Sequence, residues 1–242
     1  MHGDTSAAPE PTASEILGSA LGGAARKAGL DPQGDAATGH VVWRAMGGWR
    51  GILESVLPGL LFIVAYTLTI DSQTGDGDLW LALALSVGTA AVFTVIRLIA
   101  RQPVTAAVGG LVAAGAAAAF AAFTGDAGNN FVPGFITNAL YGSALLVSAL
   151  VGWSLIGLAA GALMGEGTQW RADKRKRRVY FWLAIAWAGL FAARLAVQLP
   201  LYFADNITAL GSVKLAMGLP LFAPMVAVTW LAVRALYPRE AK

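Results

Sequence analysis

A helix needs about 20 apolar residues to cross a hydrocarbon core ~30 Å thick. Six stretches of this chain reach that length, at about 50–70, 79–99, 104–123, 132–152, 179–203 and 213–236. With no water in the bilayer core, every backbone N–H and C=O in such a stretch must be bonded internally, and a helix does this within one segment. The expected fold class is therefore all-α: a polytopic membrane helical bundle of six transmembrane helices. A seventh apolar run, Leu155 to Gly165, is too short to span and is expected as a re-entrant or interfacial segment between helices 4 and 5. Charged residues are only 13% of the chain, about half the share in a typical soluble domain.

The placement of cations sets the expected orientation. Of the 17 Lys and Arg, all but Arg194 and Lys214 fall before or at the start of the first span, at the end of the second span or between it and the third, between spans 4 and 5, or at the end of the last span and beyond it. The alternate loops hold Asp71, Asp76, Asp78, Asp126 and Asp205. Positively charged loops stay in the cytoplasm, so both termini are expected there. Counting 155–165 as a span would move Arg171, Lys174, Arg175, Lys176, Arg177 and Arg178 to the opposite side. That basic run is read first as a topology determinant and second as a contact for anionic lipid headgroups on the cytoplasmic face. The pI of about 9.4 reflects these loops and not nucleic-acid binding.

Residues 1–44 mix Asp, Glu, Pro, Gly, Ala and Ser and are expected as a disordered cytoplasmic tail, with a weak helix at Ser14 to Leu30. A basic start followed by an apolar run, the mark of a secretory signal, is not seen there. The transmembrane domain is expected over 45–237, followed by a short cytoplasmic end at 238–242. In the third span Ala106, Gly110, Ala114 and Ala118 recur every four residues. Small residues let helices approach closely in lipid, so this span is expected at the centre of the bundle. Pro220 and Pro224 are expected to kink the sixth span.

Cysteine is absent, and His2 and His40 both precede the first span. Thiolate chemistry and an intramembrane His site are thereby excluded, and no metal or cofactor is expected. The chemistry rests on a few polar residues in apolar surroundings. Arg194 sits about 22 Å along the fifth span, counted from Val179. An Arg near mid-bilayer costs ~2.5–3.5 kcal/mol on insertion scales, close to the roughly 4 kcal/mol returned by the Val, Leu, Ile and Phe of 179–199. Glu54 lies some 16 Å away in depth, too far to pair with it. Asn138, Tyr141, Gln198 and Lys214 are nearer, and with Arg194 they form a cationic candidate site for an anionic ligand or lipid headgroup. The alternative is a structural network closed by backbone carbonyls and water. Glu54 instead matches Arg97 in depth and lies one turn from Arg50, a candidate structural ion pair. Glu166, flanked by Gly165 and Gly167 and followed by Thr168 and Trp170, is a candidate interfacial turn or gate.

Several segments together resemble a known family. They are Gly47-Gly48-Trp49-Arg50-Gly51-Ile52-Leu53-Glu54 with Leu57-Pro58-Gly59, Asn129-Asn130-Phe131-Val132-Pro133-Gly134, Gly165-Glu166-Gly167-Thr168-Gln169-Trp170-Arg171, Arg194 through Tyr202, and Lys214 to Pro220. Over about 45–237 the chain resembles an actinobacterial multi-pass membrane family, domain of unknown function 3159. More loosely, its span order is similar to the intracellular septation protein A family. The resemblance implies a plasma membrane protein with an envelope- or division-associated role, without catalytic residues to carry over. Three functions are weighed: a non-enzymatic envelope or division protein, with a homo-oligomer or envelope protein as partner; a transporter or channel for a small anionic or lipid-like solute bound near Arg194; and a membrane-embedded lipid-modifying enzyme, disfavoured by the lack of a catalytic cluster.

Overall fold

The computed structural model describes residues 48–101 and 105–237, leaving aside the side chains of 105 and 106. The expected tail at 1–44, the helix at Ser14 to Leu30 and the C-terminal 238–242 lie outside the described residues. The described chain is helical, in the order α1 (Gly48–Leu68), α2 (Leu79–Ile99), α3 (Thr105–Thr124), a 3-10 turn (Ala127–Phe131), α4 (Val132–Leu150), α5 (Leu155–Leu163), a second 3-10 turn (Gln169–Ala172), α6 (Lys174–Phe203), α7 (Ile207–Ala216) and α8 (Leu219–Leu236). Six segments are long and apolar enough to cross a membrane: α1, α2, α3, α4 with its preceding turn, α6, and α7 with α8.

Short polar side chains set the helix starts. Asp78 accepts from the Leu81 N–H at 2.9 Å to begin α2, Asp173 takes the Arg175 N–H at 2.7 Å to begin α6, and Asn206 takes the Ala209 N–H at 3.0 Å to begin α7. At Pro133 the missing N–H falls in the first turn of α4, where it costs nothing. Ser154 caps α5 and also donates to the Tyr180 carbonyl at 2.9 Å, fastening this short helix to α6. Nine residues of helix rise only about 14 Å. Both α4 and α6 therefore meet α5 at one end of the bundle, which also holds Arg50, Arg97 and the basic run; we call it the basic end.

Two sequence expectations are corrected. The third span is not central: its helix α3 has little buried surface and packs on α2 and the turn before α4. Its small residues Gly110 and Ala114 do not seat a neighbouring helix; they line a cavity. The sixth span is longer than expected and is broken, not merely kinked. Helix α7 ends at Ala216, Gly218 follows, and α8 restarts with Pro220 in its first turn. A carbonyl of the preceding turn would clash with the proline ring, so the chain reopens just before it.

The core forms two clusters. One, at the end opposite the basic end, joins Phe62, Tyr66, Leu83, Phe131, Phe135, Ile207 and Leu210. The other, at the basic end, joins Ala160, Trp170, Tyr180, Leu183, Val233 and Leu236. Between them Trp187 is buried against Phe191 and Phe222, and beside it lies an open space.

Candidate functional site

That space is a cavity of about 1200 Å³ walled by α1, α2, α3, α4, the start of α5, α6 and both halves of the broken span. It runs from Asn130 and Pro133 at one end to Glu54, Leu145 and Ile156 toward the other. Along α4 alone, Pro133 to Leu145 is about 18 Å. Its volume exceeds the ~300–1,000 Å³ of ordinary small-molecule pockets.

Of the sequence-derived cationic set, Arg194, Lys214, Asn138 and Tyr141 all line this cavity. The fifth, Gln198, is buried outside its wall, with its amide nitrogen unbonded. Arg194 is half-buried, and its Nε is sealed from solvent without a hydrogen-bond partner. The ion pairs among the described residues are made by Glu54 and Glu166, and neither reaches Arg194 or Lys214. Lys214 places its Nζ 4.6 Å from the centre of the Phe131 ring and lines the same cavity as Arg194. Asn138 is buried and donates to the Gly134 carbonyl at 2.8 Å. Its position on α4 follows from close packing of α4 on α6, where a Cβ at Gly142 would stand 3.1 Å from the Phe191 Cβ.

Glu54 closes the basic end of the cavity. Its carboxylate takes Arg97 at 2.5 and 2.7 Å and Arg50 at 2.8 Å, tying α1 to α2. Arg194 and Glu54 thus share one cavity at different depths without pairing.

The Glu166 segment forms a separate cluster at the basic end, outside the cavity wall. Gly165 and Gly167 take positive φ, and the N–H groups of Glu166 and Gly167 both bond the Gly161 carbonyl, ending α5. Lys176 holds both carboxylate oxygens of Glu166 at 2.7 and 2.8 Å and lies 4.0 Å over the Tyr237 ring. The Tyr237 hydroxyl donates to Glu166, and the Tyr180 hydroxyl donates to Tyr237 at 3.3 Å. Burial first, and then the bond to Glu166, push the Tyr237 hydroxyl well above its ordinary pKa. Trp170 is buried against Tyr180 and against Gly157 and Gly161, where a Cβ would meet its ring at 2.8 Å. Thr168 precedes the turn that carries Trp170. Of the basic run, Arg171 lies over Trp153 at 3.8 Å, while Lys174, Arg175, Arg177 and Arg178 are exposed.

Sequence reasoning missed Ser86, Asn130, Thr137 and Trp187 on the cavity wall, and it missed the Tyr237–Glu166 bond. A single polar residue in an apolar stretch carries no sign of which helix it will face. Asn130 alone had a signal, its place in the segment Asn129-Asn130-Phe131-Val132-Pro133-Gly134. Among the described residues no group of His, Cys, Asp and Glu is arranged to hold a metal ion.

The sequence profile of a family described as a protein of unknown function, DUF3159, matches residues 46–240. The chain belongs to that family. The match spans every described element, so the cavity lies wholly inside it. No curated relative and no solved structure matches the chain.

Proposed function

We propose that this chain is a plasma-membrane protein, with both termini in the cytoplasm, that binds and carries an anionic solute in the cavity at Arg194 without chemically changing it. One observation supports this reading above others. A guanidinium stands deep in an apolar bundle, on the wall of a large cavity, with no hydrogen bond or ion pair to any described residue. Intramembrane cations are expensive and ordinarily paired; here a bound anion would supply the missing partner through charge-assisted hydrogen bonds. The envelope- or division-associated role implied by the resemblance is compatible with such a site, but no particular side chain speaks for it.

The test is to purify the wild-type protein and its Arg194→Ala and Arg194→Lys variants in mild detergent, offer each a total lipid extract, and read what they retain by native mass spectrometry. Wild type is expected to retain an anionic species that Arg194→Ala loses. Arg194→Lys should recover little, because a point charge does not replace a planar fork of donors. Arg194→Ala should be at least as heat-stable as wild type, since it removes an uncompensated charge. Equal retention of the same species by Arg194→Ala, or none by wild type, overturns the reading.

A further inference from the structure

The depth of each polar group in the wall, measured from the end opposite the basic end, is informative. At 1.5 Å per residue, Asn138 lies about 9 Å along α4, Lys214 about 10 Å along α7 and Arg194 about 13 Å along α6 from that end. Asn130 lies in the turn before α4. Beyond that zone, at about 20 Å, the wall turns to Phe93, Leu145 and Phe222, and the small-residue face of α3 carries no polar group along its length. The next polar residues of the wall are Ser55 and Glu54 of α1, at about 20 Å and so level with those apolar side chains, and Glu54 is already held by two arginines. The cavity therefore has one polar, cationic zone, and beyond it a mainly apolar zone whose charged group, Glu54, is already paired.

Charge narrows the ligand further. Two cations share the polar zone, and the acid of the wall is committed elsewhere. A carboxylate, a sulfate ester or a phosphodiester brings one negative charge. A phosphate monoester brings about −1.5 to −2 near pH 7 and three acceptor oxygens, enough for a guanidinium fork and an ammonium together.

We infer that the occupant is a single-tailed amphiphile with a phosphate monoester headgroup, the phosphate held between Arg194 and Lys214 and the tail running along the apolar wall toward Glu54. This rests on the reading that the cavity binds an anion at Arg194, and it adds headgroup charge and a tail. The probes are dodecyl phosphate, dodecyl methyl phosphate, dodecyl sulfate and inorganic phosphate. Each is measured by equilibrium binding to the full chain in nanodiscs of neutral phosphatidylcholine. Dodecyl phosphate is expected to bind roughly tenfold or more tighter than the diester and the sulfate. Inorganic phosphate should bind far more weakly, for want of the tail. Lys214→Gln should remove the preference for the monoester while leaving Arg194-dependent binding of the sulfate. If the three alkyl anions bind alike and depend on Arg194, the monoester assignment fails and the anion site stands. If inorganic phosphate binds as tightly as dodecyl phosphate, the tail assignment fails. If no probe binds in an Arg194-dependent way, both readings fall. The wild-type affinity order decides the matter even if a variant does not fold.

Discussion

Glu54 shows how one side chain can serve the fold and bound a site at once. Its carboxylate is only 9% exposed and receives two guanidinium groups, one from its own helix and one from α2. Removing it would leave two like charges facing each other across the α1–α2 contact. Breaking a buried pair from one side costs ~3–5 kcal/mol, and less where water reaches, as it does at the 41% exposed Arg50. Glu54→Ala is therefore expected to lower the melting temperature in detergent distinctly more than Ser55→Ala, whose hydroxyl bonds only the Ile52 carbonyl one turn back. Equal melting of the two variants would show that the ion pair does not hold these helices. Arg194 presents the opposite balance: with no partner to strand, its removal is expected to affect ligand retention and not folding.

At the scale of elements, the close approach of α1 to α7 keeps the first half of the broken span in place. Gly211 lies against Ile63, and a Cβ there would overlap the Ile63 side chain. Gly211→Ala is expected to destabilise the protein by ~1–3 kcal/mol through overpacking. Ile63→Ala, which leaves a void, should cost ~2–5 kcal/mol on its own. Because the added methyl would fill part of that void, the double variant should lose less than the two singles together, as read by thermal unfolding in one detergent. Strict additivity would mean that the two residues do not touch. This contact also matters to the site, because Lys214 follows Gly211 by one turn and is aimed by the same half-helix. The dipeptide Pro-Gly, present in α1 and at the start of α4, has no shared role: Pro58 is buried inside a helix, whereas Pro133 opens one.

For the whole molecule, two core clusters lie toward opposite ends of the bundle, and one cavity borders residues at both levels. The hydrogen-bonded group of Lys176, Glu166, Tyr237 and Tyr180 secures the basic end across α5, α6 and the end of α8. Helix α6, at 30 residues, rises about 45 Å. It therefore outreaches a ~30 Å core and carries its basic first turns beyond it. We predict that single cysteines placed at Lys174 or Arg177, in a chain that has none of its own, will react with a membrane-impermeant thiol reagent only after the cells are opened. A cysteine at Asp76 should react in intact cells. The reverse pattern would invert the proposed orientation.

How much of this was legible beforehand follows from the range of the forces involved. Hydropathy and loop charge act locally on each segment, so six spans, a seventh run too short to cross and the segregation of Lys and Arg could be read residue by residue. The depth match of Glu54 with Arg97 could be counted from helix rise alone, and so could the grouping of Arg194, Asn138, Tyr141 and Lys214 at one level. Rotation of each helix about its axis could not be counted. In lipid there is no hydrophobic drive to mark which face turns inward, and an apolar span looks alike from every side. Tertiary packing alone therefore decided that the small face of α3 borders a cavity and not a neighbouring helix, and that Gln198 is buried outside the site it was expected to join. The segments were set by their own transfer energies; the hollow they enclose was set by which faces happened to fit.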